Sequence, residues 1–351
     1  MAKTKTTSTS KKRAPARRKV TKKAAPKSPF AQKNVLIAIA VFLIIAIAGI
    51  FLWQTTFAAT APKERHFIQN TEPKDAAHLK TLGYNIIDGT PDDIGSVNKY
   101  PSGVQAMIWT GSAFCPQGDK GKGDEWMAWS SFKNLVYNHR NNSKIYGYFL
   151  IDEPNTKGCG LGKDKLAQMI RDRADYIHCF AIQADKFSNG KHKVASDGSC
   201  LNDKGEKVAR KGKHKAYLVD EWDHQYANVS QKLTHVDIFA IDPYPCRSGG
   251  CKYSGGQDEF LQRIDRAKKY YPQSAIAPTY QAFGGDGWKL PSKDQMKQIQ
   301  AYYDKYLPGS TFDVAYSYRD NKSGGPGDTY PGLIHAPSSL VQVVKDHNFK
   351  N

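Results

Sequence analysis

Carboxylate side chains follow two short apolar segments of the chain, and they are the residues best suited to acid–base chemistry. Asp152 and Glu153 come directly after the apolar segment 145–151, and Asp242 follows the segment 236–241. A carboxyl group at the edge of an apolar core is partly desolvated, which raises its pKa toward the range of a general acid. We expect Glu153 to be the proton donor and Asp242 to be its first-choice catalytic partner, although an Asp before a Pro also forms turns.

Glu221 is the second choice for the catalytic partner. It follows the apolar segment 216–219, which competes with 192–195 for the place of a fifth buried strand. If the later segment is the strand, Glu221 lies at a strand end like Glu153. The pattern alone leaves both segments open.

Aromatic and acidic residues at other segment ends are candidates for substrate binding. A planar ring offers a sugar an apolar face with a polar edge, and a carboxylate accepts hydrogen bonds from hydroxyl groups. Each ring could equally belong to ordinary core packing. These candidates are Asp88, Trp109, Tyr244, Tyr280 and Trp288.

Short apolar segments alternate with longer amphipathic ones after residue 64. Near-continuous apolarity over about four to eight residues predicts strands that are buried on both faces, as in a parallel sheet. Besides the ambiguous fifth strand, the predicted strands are 66–69, 84–88, 105–109, 145–151, 236–241, 274–278 and 312–316. The predicted helices are 73–82, 125–138, 163–186, 225–234, 258–270, 292–306 and 338–347.

This alternation favours an α/β fold of the (β/α)8 TIM-barrel type, in which the C-terminal ends of the strands carry the chemistry. The alternative is an open doubly wound sheet. No glycine-rich phosphate-binding motif follows the early strands, which weakens that alternative. The segment from about 187 to 215 is rich in Lys, Gly, Ser and Asn, so we expect an insertion around the fifth strand.

The segment Tyr146–Pro154 resembles the fourth-strand end of the large clan of (β/α)8-barrel glycoside hydrolases. Members of that clan have an Asn-Glu-Pro motif whose Glu is the general acid/base. Glu153 matches this Glu, and Asp152 stands where the clan has Asn. The resemblance implies a barrel fold, Glu153 as acid/base, and Asp152 as a group that binds a sugar hydroxyl.

Two further segments carry the same resemblance. Residues 236–245 are similar to the sixth strand of such hydrolases, and residues 277–284 are similar to the seventh strand of poorly characterised members. As architecture, the resemblance covers roughly residues 66–348. It implies hydrolysis of O-glycosidic bonds in a surface or environmental polysaccharide, without a cofactor.

The main departure from the clan is Gln281 at the end of the seventh strand. Retaining members carry a Glu nucleophile there, and an amide cannot be an anionic nucleophile. Three alternatives follow: Glu153 works with another carboxylate that activates water, Gln281 holds a substrate that supplies its own nucleophile, or the barrel binds glycans without cleaving them.

The positive charge of the chain is concentrated at its beginning. The chain has 351 residues, with 51 Lys+Arg and 33 Asp+Glu and a formal net charge of +18. Residues 1–33 hold 12 of these bases and no acid, which predicts a disordered tail. Residues 34–54 are apolar and uncharged and long enough for a transmembrane helix.

These features predict a single-pass membrane protein with its N-terminus in the cytoplasm and its C-terminal domain outside. We expect residues 55–65 to be a linker and residues 66–351 to be the glycoside-hydrolase-like domain. A cleaved signal peptide is the alternative for the apolar segment. The basic tail is expected to contact anionic lipids, whereas nucleic-acid binding is disfavoured because the tail is tethered to a membrane and has a single aromatic residue, Phe30, to stack on a nucleotide base.

All six cysteines follow the apolar segment, and their even number indicates disulfide bonds in an oxidising compartment. Cys246 and Cys251 are the best local pair, because two glycines between them allow a tight loop. Weaker pairings are Cys115–Cys159 and Cys179–Cys200. No metal site is expected among the cysteines, since the spacings typical of zinc ligands do not occur.

Overall fold

Eight parallel strands form a closed barrel in the computed structural model, which confirms the predicted (β/α)8 fold. Each strand pairs with its neighbours in sequence, and the last strand closes the barrel on the first. The strands are β1 (Arg65–Ile68), β2 (Ile86–Gly89), β3 (Gln105–Trp109), β4 (Ile145–Asp152), β5 (Lys215–Val219), β6 (Ile238–Ile241), β7 (Ala275–Gln281) and β8 (Phe312–Tyr316).

The structure describes residues 65–111, 115–116, 126–183, 193–221, 223–253, 259–285, 287–322 and 329–350. Within these ranges no helix has the length and apolarity needed to cross a membrane. The predicted tail, transmembrane segment and linker lie outside them but for Arg65, the first residue of β1, so the tail and the transmembrane segment stay predictions.

Eight α-helices follow the strands within the described residues. They are α1 (Ala76–Thr81), α2 (Ile94–Val97), α3 (Trp129–Asn138), α4 (Lys163–Cys179), α5 (Gln231–Thr234), α6 (Glu259–Tyr270), α7 (Lys293–Tyr306) and α8 (Ser338–Asn348). The predictions missed α2, because a single turn is too short to show helical periodicity. The helix predicted at 225–234 forms only its last turn, α5.

The ambiguous fifth strand is the later of the two candidates. Residues of β5 pair with β4 and β6, as the barrel requires. The earlier candidate belongs to the insertion, where Val194 makes only an isolated bridge to Cys200. In this insertion a short antiparallel hairpin, Cys200–Leu201 with Lys207–Val208, lies between α4 and β5.

Side chains of each strand alternate between the barrel interior and the layer beneath the helices. Phe67 of β1 meets Tyr217 of β5 inside the barrel, with ring centroids 5.5 Å apart. Their successors Ile68 and Leu218 pack in the outer layer. Burial on both faces explains why the strands are near-continuous in apolar residues.

All three predicted disulfide bonds are present, and no cysteine is free. Cys246–Cys251 closes the tight hairpin Cys246–Arg247 with Gly250–Cys251 after β6. Cys115–Cys159 joins the segments after β3 and β4, and Cys179–Cys200 ties the end of α4 to the insertion.

Candidate active site

Three adjacent strand ends place carboxylates at the mouth of the barrel. Glu153 follows β4, Asp220 follows β5 and Asp242 follows β6. The backbone N–H of Glu153 donates to the carbonyl oxygen of Val219 at 3.2 Å, and that of Asp220 donates to Ala240 at 2.8 Å. These bonds extend the strand pairing by one residue, so the positions of the acids are fixed by the barrel itself.

Glu153 and Asp220 both have a backbone conformation that is uncommon for residues with a side chain. Their φ angles are 41° and 23°, in the left-handed region. Such conformations cost free energy and concentrate at functional sites. Two of them at neighbouring strand ends mark this part of the mouth as a candidate site.

A buried arginine from α6 reaches the carboxylates from the outer layer. Arg263 Nη1 donates to Asp220 Oδ2 at 2.6 Å and to Asp242 Oδ1 at 3.4 Å. It occupies the same helix face as the core residues Phe260 and Ile264. A cation on an apolar helix face needs a buried anion, and Asp220 supplies it.

His224 completes the surroundings of Asp220. Arg263 Nη2 lies 2.7 Å from His224 Nε2. A guanidinium only donates hydrogen bonds, so this ring nitrogen accepts and the proton of the neutral ring is on Nδ1. His224 Nδ1 lies 3.4 Å from Asp220 Oδ1, which places a second donor beside that carboxylate.

The carboxyl groups at the mouth have different pKa shifts. Burial alone raises the pKa of Asp220, but the charge of Arg263 and the hydrogen bond from His224 bring it below its ordinary value. Burial and the charge of Asp220 raise the pKa of Glu153. Burial, Asp220 and Glu153 together raise the pKa of Asp242 well above its ordinary value. An ionised Asp220 therefore lies beside two carboxyl groups, Glu153 and Asp242, whose pKa values are shifted upward.

Asp152 belongs to the same group. Burial, Glu153 and Asp220 raise its pKa to about 8. Asp152 also raises the pKa of Tyr217 in the barrel interior, which places its carboxyl group over the inner core. The structure thus brings Asp152, Glu153 and Asp242 together, and their catalytic and binding roles stay predictions.

Glu221 lies elsewhere. Its side chain is buried, and its Oε1 accepts a hydrogen bond from Asn228 Nδ2 at 2.7 Å. Burial raises its pKa to about 7, and the groups that act on it include Asn228 and Asp223 of its own loop. The position that the sequence suggested for Glu221 is taken by its neighbour Asp220.

Asp88 accepts hydrogen bonds from the loop after β1. Its Oδ2 accepts from the backbone N–H of Asn70 at 2.6 Å, and its Oδ1 accepts from that of Thr71 at 2.8 Å. The Thr71 hydroxyl donates to the same Oδ1. Both oxygens of Asp88 therefore hold a neighbouring loop in place, and substrate binding by Asp88 stays a prediction.

Aromatic rings are placed on both sides of the carboxylates. Trp109 at the end of β3 is half-buried and packs edge-on against Phe149, with centroids 4.3 Å apart. Beyond β6, a second aromatic group surrounds Tyr244. Its other members are Phe283 at 4.9 Å, Trp288 at 5.5 Å and Tyr316 at 6.1 Å.

Tyr244, Trp288 and Tyr316 keep part of their rings exposed. The guanidinium of Arg247, in the disulfide-bonded hairpin, lies 3.9 Å from the centre of the Trp288 ring. This cation–π contact holds the tryptophan in a defined orientation. The group can serve as a platform for a sugar ring.

Tyr280 does not reach the mouth. Its ring packs in the outer layer against Tyr303 of α7 and His347 of α8, with centroids 5.4 Å and 5.0 Å away. Gln281, the next residue, faces the other way and is fully buried beneath the loops after β6 and β7. Its amide donates to the carbonyl oxygens of Cys246 at 2.8 Å and Lys289 at 3.0 Å.

An open cavity adjoins the segment after Glu153. Its volume is about 330 Å³, and it is lined by Asn155, Thr156, Lys157, Gly158 and Asp223. This volume falls at the lower end of the range of small-molecule sites, roughly 300–1,000 Å³.

Three residues of the site were not on the candidate list: Asp220, His224 and Arg263. Asp220 directly precedes the candidate Glu221, and only the register of β5 decides which of the two acids faces the mouth. Arg263 could have been found from its place between Phe260 and Ile264 on the apolar face of a predicted helix. We find no comparable signal for His224.

No family model matches the chain, and no curated protein matches it. Among solved structures, an FMN-binding β-glucuronidase from Faecalibacterium prausnitzii L2-6 has a TM-score of 0.50 at 11% identity over 84% of this chain. A β-glucuronidase from Ruminococcus gnavus, without ligand, has a TM-score of 0.51 at 11% identity over 82% of this chain. The chain spans 45% and 50% of the lengths of these two proteins. It therefore shares the (β/α)8-barrel fold with these β-glucuronidases.

Proposed function

We propose that the barrel is a glycoside hydrolase that cleaves O-glycosidic bonds of a surface or environmental polysaccharide, with Glu153 as general acid. The observation that carries this proposal is the electrostatic pairing of Glu153 with Asp242. Both acids lie at the mouth, and the charge of Glu153 contributes to the raised pKa of Asp242. Glycosidic bond cleavage uses a pair of carboxyl groups, and perturbed pKa values are typical of such catalytic groups.

The two acids have distinct roles in this proposal. Glu153, whose pKa is raised by burial and by the charge of Asp220, transfers its proton to the oxygen of the leaving sugar. Asp242 acts in its ionised form, after releasing its proton to solvent, and the positive charge that develops on the ring of the other sugar in the transition state stabilises this form. Asp242 then accepts a proton from the attacking water. Asp220 stays ionised beside Arg263 and helps to stabilise the positive charge.

The surroundings of Gln281 support a mechanism without a nucleophile on β7. Its amide is held by backbone groups of two loops, so it is a structural part of the mouth. This favours direct attack by water and inversion at the sugar carbon. The same observation also favours the alternative function, a glycan-binding barrel that does not cleave its ligand.

The test is turnover of a panel of polysaccharides by the full chain in detergent. Release of reducing ends supports the hydrolase, and NMR of the first product identifies the anomer, which is expected to be inverted. Retention on an immobilised polysaccharide without any turnover across the panel would replace the hydrolase with the glycan-binding alternative.

Anchoring in the cell membrane is a separate part of the proposal. It rests on the apolar segment 34–54, the basic residues before it and the disulfide bonds after it. We expect the chain to stay with membranes after alkaline extraction. Protease added outside intact cells should degrade the barrel while an N-terminal tag is protected. Degradation of the tag with the barrel intact would reverse the orientation.

A further inference from the structure

Two histidines and an aspartate meet outside the barrel wall, away from the mouth. His66 is the second residue of β1, Asp313 is the second residue of β8, and His347 is near the end of α8. Asp313 Oδ2 lies 2.9 Å from His66 Nδ1 and 3.1 Å from His347 Nε2. The three possible ligand atoms all lie within 4.8 Å of one another.

The alternation of the strands explains this arrangement. Phe67 and Val314 point into the barrel, so His66 and Asp313 point outward, beneath α8. His66 is 3% and Asp313 9% exposed. A buried carboxylate between two imidazoles requires either protons shared with the rings or a cation.

A small cavity adjoins the same residues. Its volume is about 10 Å³, and its lining includes Asp313 and His347 together with Tyr84, Gln300 and Asn348. That is roughly the space of one water molecule. A water molecule in this cavity would lie beside Asp313 and His347, where its oxygen can be a further ligand of a metal ion.

We propose that His66, Asp313 and His347 bind one divalent transition-metal ion at the junction where β8 closes the barrel on β1. Imidazole nitrogen and carboxylate oxygen are preferred ligands of Zn²⁺, and a water from the adjoining cavity provides the fourth position. Ligand atoms about 2.0–2.1 Å from zinc are roughly 3.3 Å apart in a tetrahedron, so the two contacts of Asp313 Oδ2 need to lengthen only slightly. Each ring binds in its neutral form, with its proton on the other nitrogen.

The ion has a structural role in this proposal. It connects β1 and β8, whose pairing closes the barrel, with α8, the last helix of the chain. His66 and Asp313 lie in the N-terminal halves of their strands, at the end of the barrel opposite to the carboxylates. The proposal of zinc binding and the proposal of glycan cleavage can therefore be tested independently of each other.

The test measures zinc directly on the full chain, purified in detergent with a tag that contains no histidine. The protein is stripped with a chelator, dialysed against ZnCl2 and then against buffer, and its metal content is determined by mass spectrometry. We expect one equivalent of zinc and an increase in Tm of roughly 5 °C or more in the presence of excess ion. A wild-type chain that retains no zinc overturns the proposal and leaves a hydrogen-bonded triad.

Variants locate the bound ion. His347→Gln and Asp313→Asn are expected to lose the zinc and the increase in Tm, while circular dichroism confirms that they fold. His335→Gln is the matched control, because His335 is an exposed histidine that also contacts an aspartate, Asp320, at 2.6 Å. If a folded His347→Gln or Asp313→Asn variant retains zinc, the ion binds elsewhere and the proposal is contradicted.

Discussion

Gln281 and Cys246 are joined by two reciprocal hydrogen bonds. The backbone N–H of Cys246 donates to Gln281 Oε1 at 2.9 Å, and Gln281 Nε2 donates to the carbonyl oxygen of Cys246 at 2.8 Å. The amide therefore binds the disulfide-bonded hairpin as a neighbouring strand would. The sequence resemblance predicts that Gln281 stands where retaining hydrolases have a nucleophile, and in the structure its amide connects two loops.

Gln281→Glu should destabilise the barrel and should not create a nucleophile. The new carboxylate would face the carbonyl oxygens of Cys246 and Lys289, which accept hydrogen bonds from the present amide. We expect the free energy of unfolding in urea to decrease by about 3 kcal/mol. Gln262→Glu, an exposed substitution of the same type on α6, should change it by less than about 0.5 kcal/mol. Equal stability of the two variants would contradict the role of Gln281.

Arg263→Met should destabilise the protein more than any substitution of an exposed base. It leaves Asp220 buried without its cation, which typically costs about 3–5 kcal/mol. The comparison is Arg266→Met on the same helix, where the lost contacts are a hydrogen bond to the carbonyl oxygen of His224 at 2.9 Å and a long one to Gln262 Oε1 at 3.5 Å. Urea denaturation of both variants measures the difference. A smaller loss for Arg263→Met than for Arg266→Met would show that Asp220 does not depend on this cation.

The raised pKa of Asp152 predicts how stability changes with pH. The folded chain holds the Asp152 proton up to about pH 8, whereas the unfolded chain releases it near the ordinary value of 3.8. Between these values the folded state binds more protons, so the contribution of Asp152 to stability is fully present below about pH 4 and is lost as the pH rises to about 8. Asp152→Asn removes the titrating group, and its free energy of unfolding should decline less over this interval. Parallel profiles of wild type and variant would contradict the shift.

The sequence predicted the barrel because burial on both faces makes each strand nearly continuous in apolar residues. It did not show which side chains at the strand ends face inward, since such strands lack the alternation that would reveal it. Tyr280 and Gln281 illustrate this: one ring lies in the outer layer, and the amide lies beneath two loops. The contact between Arg263 and Asp220 joins residues 43 positions apart, which no local pattern encodes.

Local signals were reliable where one short segment decides the structure. Ser292 starts α7 as predicted: its Oγ accepts from the backbone N–H of Gln295 at 3.3 Å. The side-chain Oε1 of Gln295 in turn accepts from the backbone N–H of Ser292 at 2.8 Å. The hairpin disulfide Cys246–Cys251 was likewise predictable from two glycines.

Removal of the disulfide Cys179–Cys200 should cost about 3 kcal/mol, because it closes a loop of 21 residues. The double substitution to Ser is measured by urea denaturation under non-reducing conditions. The same change at Cys246 and Cys251, which are only 5 residues apart, should cost about 2 kcal/mol. A larger effect at the shorter loop would show that native contacts, and not chain entropy, dominate.

The role of Glu153 is tested most directly by comparing Glu153→Gln with wild type on two substrates that differ in their leaving group. A general acid is needed when the leaving sugar is a poor leaving group and is needed little for an activated aryl glycoside. We expect kcat/KM on a natural oligosaccharide to fall by about 10²–10⁴-fold, with a much smaller decrease on the aryl glycoside. Glu206→Gln, an exposed change in the insertion at the opposite end of the barrel, is the control and should leave both rates unchanged. Equal turnover of the natural substrate by wild type and Glu153→Gln would contradict the assignment of Glu153 as the proton donor.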